Sequence, residues 1–208
     1  MIDLHTVPTA NGYKASIMLE ELALDYRVHS YDLRKGDNFD PQFLAINPVA
    51  RLPTIVDHAT DDGAPLAVYG SAAILIYLAE KSARLLAASG RTRIRTLEWV
   101  GIISGDVGPA FSGQFAFNVV APEKLPWAIS YYDKLCLRMA GVLEQQLGKT
   151  TYLAGDEYSI ADIIAYPVAT VSMKRFPGSL DAHPHLAGGA ALVGARPAVQ
   201  RGMQVPAA

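Results

Sequence analysis

The sequence predicts an α/β domain followed by an all-α domain, and three observations carry this. Up to Lys81, short β-branched runs alternate with helical spacings. From Thr92 onward the apolar residues recur only at helical period, with no further strand signal. Between them the stretch SARLLAASGRTR is small, basic and broken by a glycine, as a linker would be. The expected boundaries are 1–81 for the first domain, 82–92 for the linker and 93–208 for the helical domain.

Met1–His5 reads as a short buried strand, and Thr6–Gly12, TVPTANG, as a loop of turn residues. Tyr13–Leu24 has helical spacing, and Tyr26–Leu33 alternates with period two. A loop at Lys35–Asn38 leads to a short helix at Pro41–Ile46. Thr54–Asp57 and Pro65–Tyr69 flank the turn signal Asp61-Asp62-Gly63 and read as a hairpin. Pro53 has no N–H for a ladder and belongs at the start of its strand. An X-Pro bond is trans by default. If Leu52-Pro53 is cis, the N–H and C=O of Leu52 face outward and can pair with an extended peptide. Ser71 is the expected N-cap of the next helix, with Ile74, Leu75 and Leu78 on its buried face. The free N–H groups behind it suit a carboxylate. A strand–helix–strand start implies parallel strands with a right-handed crossover. Adding the hairpin gives a mixed four-stranded sheet with helices on both faces, the arrangement of a thioredoxin-like domain.

Composition narrows the function. Half of the 208 residues are hydrophobic, and 18 basic against 20 acidic residues leave a net charge of −2. No nucleic-acid or membrane surface is expected from that balance. No apolar run approaches the roughly 20 residues of a membrane span. The first residues lack the basic segment and long apolar core of a secretory signal. Cys136 is the only cysteine, so no internal disulfide can form and multi-cysteine zinc sites are excluded. No metal is expected, and a reducing cytoplasm is the simplest location.

A redox thioredoxin carries C-x-x-C where its first strand meets its first helix, and the helix N-terminus lowers a cysteine pKa there. This chain has Thr9-Ala10-Asn11-Gly12 at that place. The scaffold stabilises a thiolate but supplies no thiol, so the thiol arrives with a ligand. Thr9 and Asn11 are the candidate donors, although turn and cap duty is the ordinary role of both residue types.

The motifs MIDLHTVPTANGYKASIMLEE, INPVARLPTIVD, SAAILIYLAEK, APEKLPWAISYY and YLAGDEYSIADIIAYP follow one another over nearly the whole chain. In that order they resemble the glutathione transferases. The resemblance is strongest to the bacterial nu class, which includes disulfide-bond reductases and is similar to the yeast nitrogen-regulator prion protein. It implies glutathione as co-substrate, with Thr9 and Asn11 stabilising its thiolate. Leu52, beside a cis Pro53, would bind its cysteinyl backbone, and Ser71 its γ-glutamyl carboxylate. Arg51 would stand near the glycyl carboxylate where relatives often carry lysine, and Asn38 where they often carry glutamine. Phe111, Phe115 and Tyr131 would line a substrate pocket. A homodimer is implied, with a disulfide or a small hydrophobic electrophile as second substrate.

Two positions depart from the family pattern. Gly70 stands where relatives place an acid that meets the γ-glutamyl ammonium, and Ser130-Tyr131-Tyr132 lacks a nearby arginine. Two functions therefore stay open: a glutathione transferase or disulfide-bond reductase, and a transferase-like binding protein with little catalysis.

In the helical half, Ile94, Leu97, Trp99, Ile102 and Ile103 predict a helix that Gly105, Gly108 and Pro109 should bend or end. Pro126–Leu147 predicts a long helix with Cys136 in its core, and Pro126 suits its first turn. Ser159-Ile160-Ala161-Asp162 is a capping-box variant that makes Asp162 structural. His183 and His185 read as surface residues. Gly188-Gly189 should loosen the last predicted helix.

Overall fold

The chain opens with β1 (Ile2–Thr6), buried at every position in a computed structural model that describes residues 1–176 and 182–207. It runs into α1 (Ala10–Leu22), and β2 (Tyr26–Ser30) returns parallel to it, with Ile2 opposite Tyr26 and Thr6 opposite Ser30. A 3-10 turn at Asp37–Phe39 precedes α2 (Pro41–Ile46), β3 (Thr54–Asp57), β4 (Leu66–Tyr69) and α3 (Ser71–Ser82). β3 is antiparallel to both β1 and β4, so the sheet is mixed, in the order β2-β1-β3-β4. This is the thioredoxin-like arrangement that the order of segments predicts.

α1 starts three residues earlier than the apolar spacing suggests, because Thr9 caps it: Thr9 Oγ1 accepts from Gly12 N at 3.2 Å. A Cβ on Gly12 would stand 2.1 Å from the Val7 carbonyl oxygen, so only glycine lets the first turn lie this close to the preceding loop. α1 and α3 pack on each other and on the sheet. On the other face, where Asp3 and His5 point together, His5 stacks on His29 at 4.6 Å and meets Phe43 of α2 at 5.7 Å. Asp3 accepts two hydrogen bonds from Arg27, at 2.8 and 2.9 Å, and lies 2.9 Å from His58. The Arg27 guanidinium holds its carboxyl well below the usual carboxylate range. Asp57, fully buried, accepts from Lys81 at 2.6 Å and Tyr77 at 2.8 Å. Burial pushes its carboxyl up, but these donors and the Ala59 N–H outweigh it and hold it low.

The chain divides into two compact units, residues 1–86 with 195–208, and residues 87–194. In the second, α4 (Gly90–Ile102) continues through a π turn at Ile103–Val107 into α5 (Gly108–Phe115). The glycines and Pro109 therefore do not end the helix. The wider turn sends the Gly108 N–H to the Ile103 carbonyl, and Pro109, with no N–H of its own, falls in the first turn of α5. A further π turn spans Ala116–Val120.

α6 (Pro126–Leu147) has the predicted limits, and its core face includes Cys136, Met139 and Leu143. α7 (Ile160–Pro167) carries the capping box: Asp162 Oδ2 accepts from Ser159 N at 3.0 Å, and Oδ1 accepts from Leu153 N at 2.9 Å. Its carboxylate thus ties the preceding loop to the helix start. α8 (Pro184–Gly194) is capped by Glu144, which accepts from the backbone N–H groups of His185 and Leu186 at 3.1 and 2.8 Å. A Cβ on Gly189 would come within 3.0 Å of Leu147, so the glycine allows α8 to close on α6.

Residues 195–208, expected in the helical domain, pack instead with the first unit. Their helix α9 (Pro197–Gly202) lies against α1, where Ser16 Oγ donates to the Gly202 carbonyl at 2.7 Å. Arg196 makes two hydrogen bonds to Glu21, at 2.6 and 2.9 Å, and Arg201 makes one to Glu20 at 2.6 Å. Arg196 and Glu21 are 175 residues apart in sequence, so no local pattern announces the contact.

The fold has a pH signature in His5. Burial, aided by the charge of His29, pushes its imidazole from the usual 6.5 down to about 4. The unfolded chain therefore takes the proton first, and stability is full above pH 6.5 and falls as pH drops from there toward 4. The slope from this group is at most about 1.4 kcal/mol per pH unit. Urea unfolding at pH 7.5, 6 and 5 should show that slope in the parent and a flatter line in His5→Gln. Parallel lines would remove His5 as its source.

Candidate functional site

Strand register decides which candidate residues meet. His5 of β1 pairs with Thr54 of β3, and Thr54 pairs with Tyr69 of β4. These residues form one row across the sheet, at the end where β1 and β4 finish and β3 begins. The chain leaves β1 toward Thr9, enters β3 through Leu52-Pro53 and leaves β4 into Gly70-Ser71. Three segments distant in sequence thus reach one end of the sheet. The candidate donors, the Leu52 backbone and Ser71 all lie there.

Thr9 has extended backbone, and its Oγ1 already accepts from Gly12 N. Capping uses a lone pair and leaves the hydroxyl hydrogen free to donate. Thr9 is thus a cap and an available donor at once. Asn11 lies in the first turn of α1, not in a loop, and is exposed. Its Oδ1 accepts from Lys14 Nζ at 2.8 Å. The N–H groups of Ala10 and Asn11 have no acceptor among the described residues, as expected for a helix start. Sequence reasoning passed over Lys14. Its signal is a lysine beside the buried run Ala15-Ser16-Ile17-Met18, where an exposed residue is not expected.

The Leu52-Pro53 bond is cis. Leu52 precedes β3, and its N–H and carbonyl have no backbone partner among the described residues. The loop before it is shaped by Asn47, which is fully buried. Asn47 Nδ2 donates to the Arg51 carbonyl at 2.7 Å and to Thr54 Oγ1 at 2.9 Å, while its Oδ1 accepts from Val49 N at 2.9 Å. Sequence reasoning did not single out Asn47, though an asparagine before Pro48 is a turn signal. Asn38 is buried and donates through Nδ2 to the Ala50 carbonyl at 3.0 Å. One of its amide hydrogens thus supports the loop that leads to Arg51 and Leu52. The Arg51 side chain is exposed.

Ser71 is not the N-cap. It is the first residue of α3, Gly70 is the cap, and no side-chain capping bond forms. Gly70 has φ +86° and ψ 120°, a conformation that side-chain-bearing residues rarely adopt. This explains why the cap fell one residue earlier than the serine suggested: the chain needs a left-handed residue to turn from β4 into α3. The Ser71 hydroxyl has no hydrogen-bond partner among the described residues and lies in the first turn, beside helix N–H groups open to an anion.

The proposed pocket residues belong to the second unit. Phe111 is a core residue, 3 % exposed and edge-on to Phe176 at 6.3 Å, so it does not line an open surface. Phe115 and Tyr131 are exposed, and Tyr131 stacks on Trp127 at 5.4 Å. Cys136 is fully buried on α6, and burial, with the charge of Asp133, pushes its thiol up to about 12. It is neither accessible nor ionised at neutral pH. No described helix is long and apolar enough to cross a membrane, and no three His, Cys, Asp or Glu side chains among the described residues form a metal site.

Comparison with known proteins bears on both halves of the chain. Residues 10–81 match the model of the glutathione S-transferase N-terminal domain, and residues 132–188 match that of the C-terminal domain. The disulfide-bond oxidoreductase YfcG of Escherichia coli is 44% identical over 168 residues, covering 80% of this chain and 78% of that protein. A glutathione transferase family member of Pseudomonas fluorescens, solved with two glutathione bound, superposes with a TM-score of 0.94 at 35% identity, over 99% of this chain and 93% of its own. A glutathione transferase of Pseudomonas putida, solved with one glutathione disulfide per subunit, gives a TM-score of 0.93 at 33% identity, over 99% and 91%. With its sheet, its cis-proline loop and both its halves matched in this way, the chain belongs to the glutathione S-transferase family.

Proposed function

We propose that this protein is a glutathione-dependent disulfide-bond reductase, which also directs the bound thiolate at small hydrophobic electrophiles. One observation carries the reading: a hydroxyl, an amide and open helix N–H groups stand together at the start of α1, while the only cysteine is buried on α6 and holds its proton. A thiol must therefore come from outside; the Pseudomonas fluorescens structure holds glutathione and the Pseudomonas putida structure its disulfide, which supports glutathione as that thiol. YfcG, named for disulfide-bond chemistry, supports the reaction class.

The residues divide the work. The Leu52 N–H and C=O pair with the cysteinyl backbone of glutathione, with cis Pro53 beside it. Ser71 and the first N–H groups of α3 take the γ-glutamyl carboxylate, and Arg51 is the cation for the glycyl carboxylate. Thr9 Oγ1 and Asn11 Nδ2 donate to the sulfur. Each favours the thiolate over the free thiol, whose pKa is about 8.5. The thiolate attacks one sulfur of a substrate disulfide. A new S–S bond forms as the old one breaks, and the departing thiolate takes a proton from water. A second glutathione resolves the mixed disulfide, giving glutathione disulfide and the second reduced thiol. Sulfur is a soft electrophile and a good leaving group, so no general acid is needed. A cytoplasmic location, where glutathione is kept reduced, suits this chemistry.

Gly70 favours the alternative of a binder with little catalysis, because it supplies no acid for the γ-glutamyl ammonium. The two are separated by reduction of hydroxyethyl disulfide with glutathione present. Asn11→Ala and Thr9→Val should each lower kcat/KM about ten- to a hundredfold, the value of a hydrogen bond to a charged group. A parent without turnover would leave the binding reading, and full activity in both variants would remove these donors from the chemistry.

Gly70→Glu should tighten glutathione binding by about one power of ten in calorimetry at neutral pH. A Cβ at Gly70 meets nothing within 4 Å, so there is room for the new side chain. Its φ of +86° should nevertheless cost the fold about 1–3 kcal/mol, visible as a lower melting temperature. Unchanged affinity would mean that another group already holds the ammonium.

We also propose a homodimer, the assembly expected of the family. Sedimentation at micromolar concentration should give twice the 22.3 kDa chain mass, and a single 22.3 kDa species would end this proposal.

A further inference from the structure

The thiolate reading above leaves Lys14 without a role. Lys14 stands one turn along α1 from Asn11 and is 2 % exposed, although lysine is almost never fully buried unless paired with an acid. Among the described residues its ammonium has one hydrogen bond, to Asn11 Oδ1 at 2.8 Å. The charged and titratable groups on the elements packed against α1 are engaged elsewhere. On β1, Asp3 meets Arg27 and His58, and His5 meets Tyr31. On α3, Lys81 and Tyr77 meet Asp57, and Glu80 is exposed. At α9, Arg196 and Arg201 meet Glu21 and Glu20 of α1. Burial pushes the Lys14 ammonium from 10.5 down to about 8, so at neutral pH it still carries its charge.

A lysine ammonium can only donate, so its partner on Asn11 is the carbonyl oxygen. That bond fixes the amide: the oxygen turns inward to Lys14, and the NH2 group turns outward. The outward NH2 has no hydrogen-bond partner among the described residues, and it stands in the first turn of α1 next to Thr9. Without Lys14 the amide could turn over and present an oxygen, which repels a thiolate. Lys14 also places a positive charge behind the amide, in surroundings where water does not screen it.

We propose that Lys14 is a positioning residue for the glutathione thiolate, holding the Asn11 amide with its NH2 toward the sulfur and adding a buried positive charge behind it. The proposal rests on the glutathione reading, and the experiment separates the two. Bound glutathione is titrated by its thiolate absorbance from pH 5 to 9 in the parent, Lys14→Met and Lys14→Gln. In the parent the bound thiol should ionise below the free value of about 8.5. Lys14→Met, similar in length but without donor or charge, should raise that pKa by about one unit. It should also lower kcat for disulfide reduction at pH 6.5 about tenfold, with little change in the glutathione Kd. Lys14→Gln can still donate to Asn11 Oδ1 and should fall between the two. In an Asn11→Ala background the effect of Lys14→Met should shrink.

Equal thiol pKa values in the parent and Lys14→Met would overturn the role of Lys14 and leave the glutathione reading intact. A parent that leaves the bound thiol at its free value would overturn that reading, and Lys14 with it. Thermal melts accompany each titration; if Lys14→Met does not fold, Lys14→Gln decides by the same criterion.

Discussion

The antiparallel pairing of β1 with β3 is the constraint on which the rest of the first unit depends. It sets His5 against Thr54, and the next pairing sets Thr54 against Tyr69. The ends of β1 and β4 and the start of β3 then coincide, so three loops must share one end of the sheet. A slip of one residue would turn every side chain to the opposite face. Leu4 and Ile55, both fully buried, would leave the core. Packing of the apolar face therefore holds in register the loops that carry the polar candidates.

That end of the sheet is shaped by buried side chains that hold its loops. Asn47 makes two hydrogen bonds within its own loop and one to Thr54 at the start of β3, and Asn38 supports Ala50. Together they shape the approach to Leu52, whose backbone groups are left unpaired. Gly12 allows the first turn of α1 to press on the Val7 carbonyl, which sets where Thr9 and Asn11 stand. A buried unsatisfied polar group costs about 1–3 kcal/mol, so losing one of these supports would disturb the loop more than losing an exposed contact.

Gly70 joins a conformational demand to an electrostatic one. The turn from β4 into α3 needs φ near +86°, and glycine meets it without strain. A side-chain-bearing residue would be strained here, and an acid at this position would set that strain against an ammonium partner. This chain has the relaxed backbone and no charge. The helix N-terminus behind Ser71 still favours an anion.

The sequence by itself determined the class of the fold, the strand and helix order of the first domain, the limits of α6 and the capping box at Ser159–Asp162. Each rests on short-range physics: period two or 3.6, a capping side chain three residues from its partner, and a proline without an N–H. The same reasoning named Thr9, Asn11, Leu52, Pro53 and Ser71 as candidates, because strand ends and helix starts are where turn, cap and X-Pro signals are read locally. Only the tertiary structure decided that residues 195–208 join the first unit, that Phe111 is core, that Gly70 is the cap, and that π turns carry the helix past Gly108 and Pro109. It alone revealed Lys14 beneath Asn11 and Asn47 within its loop. These outcomes depend on contacts between residues far apart in sequence, or on a backbone angle set by the elements on either side. Residue type leaves such choices degenerate until packing removes the alternatives.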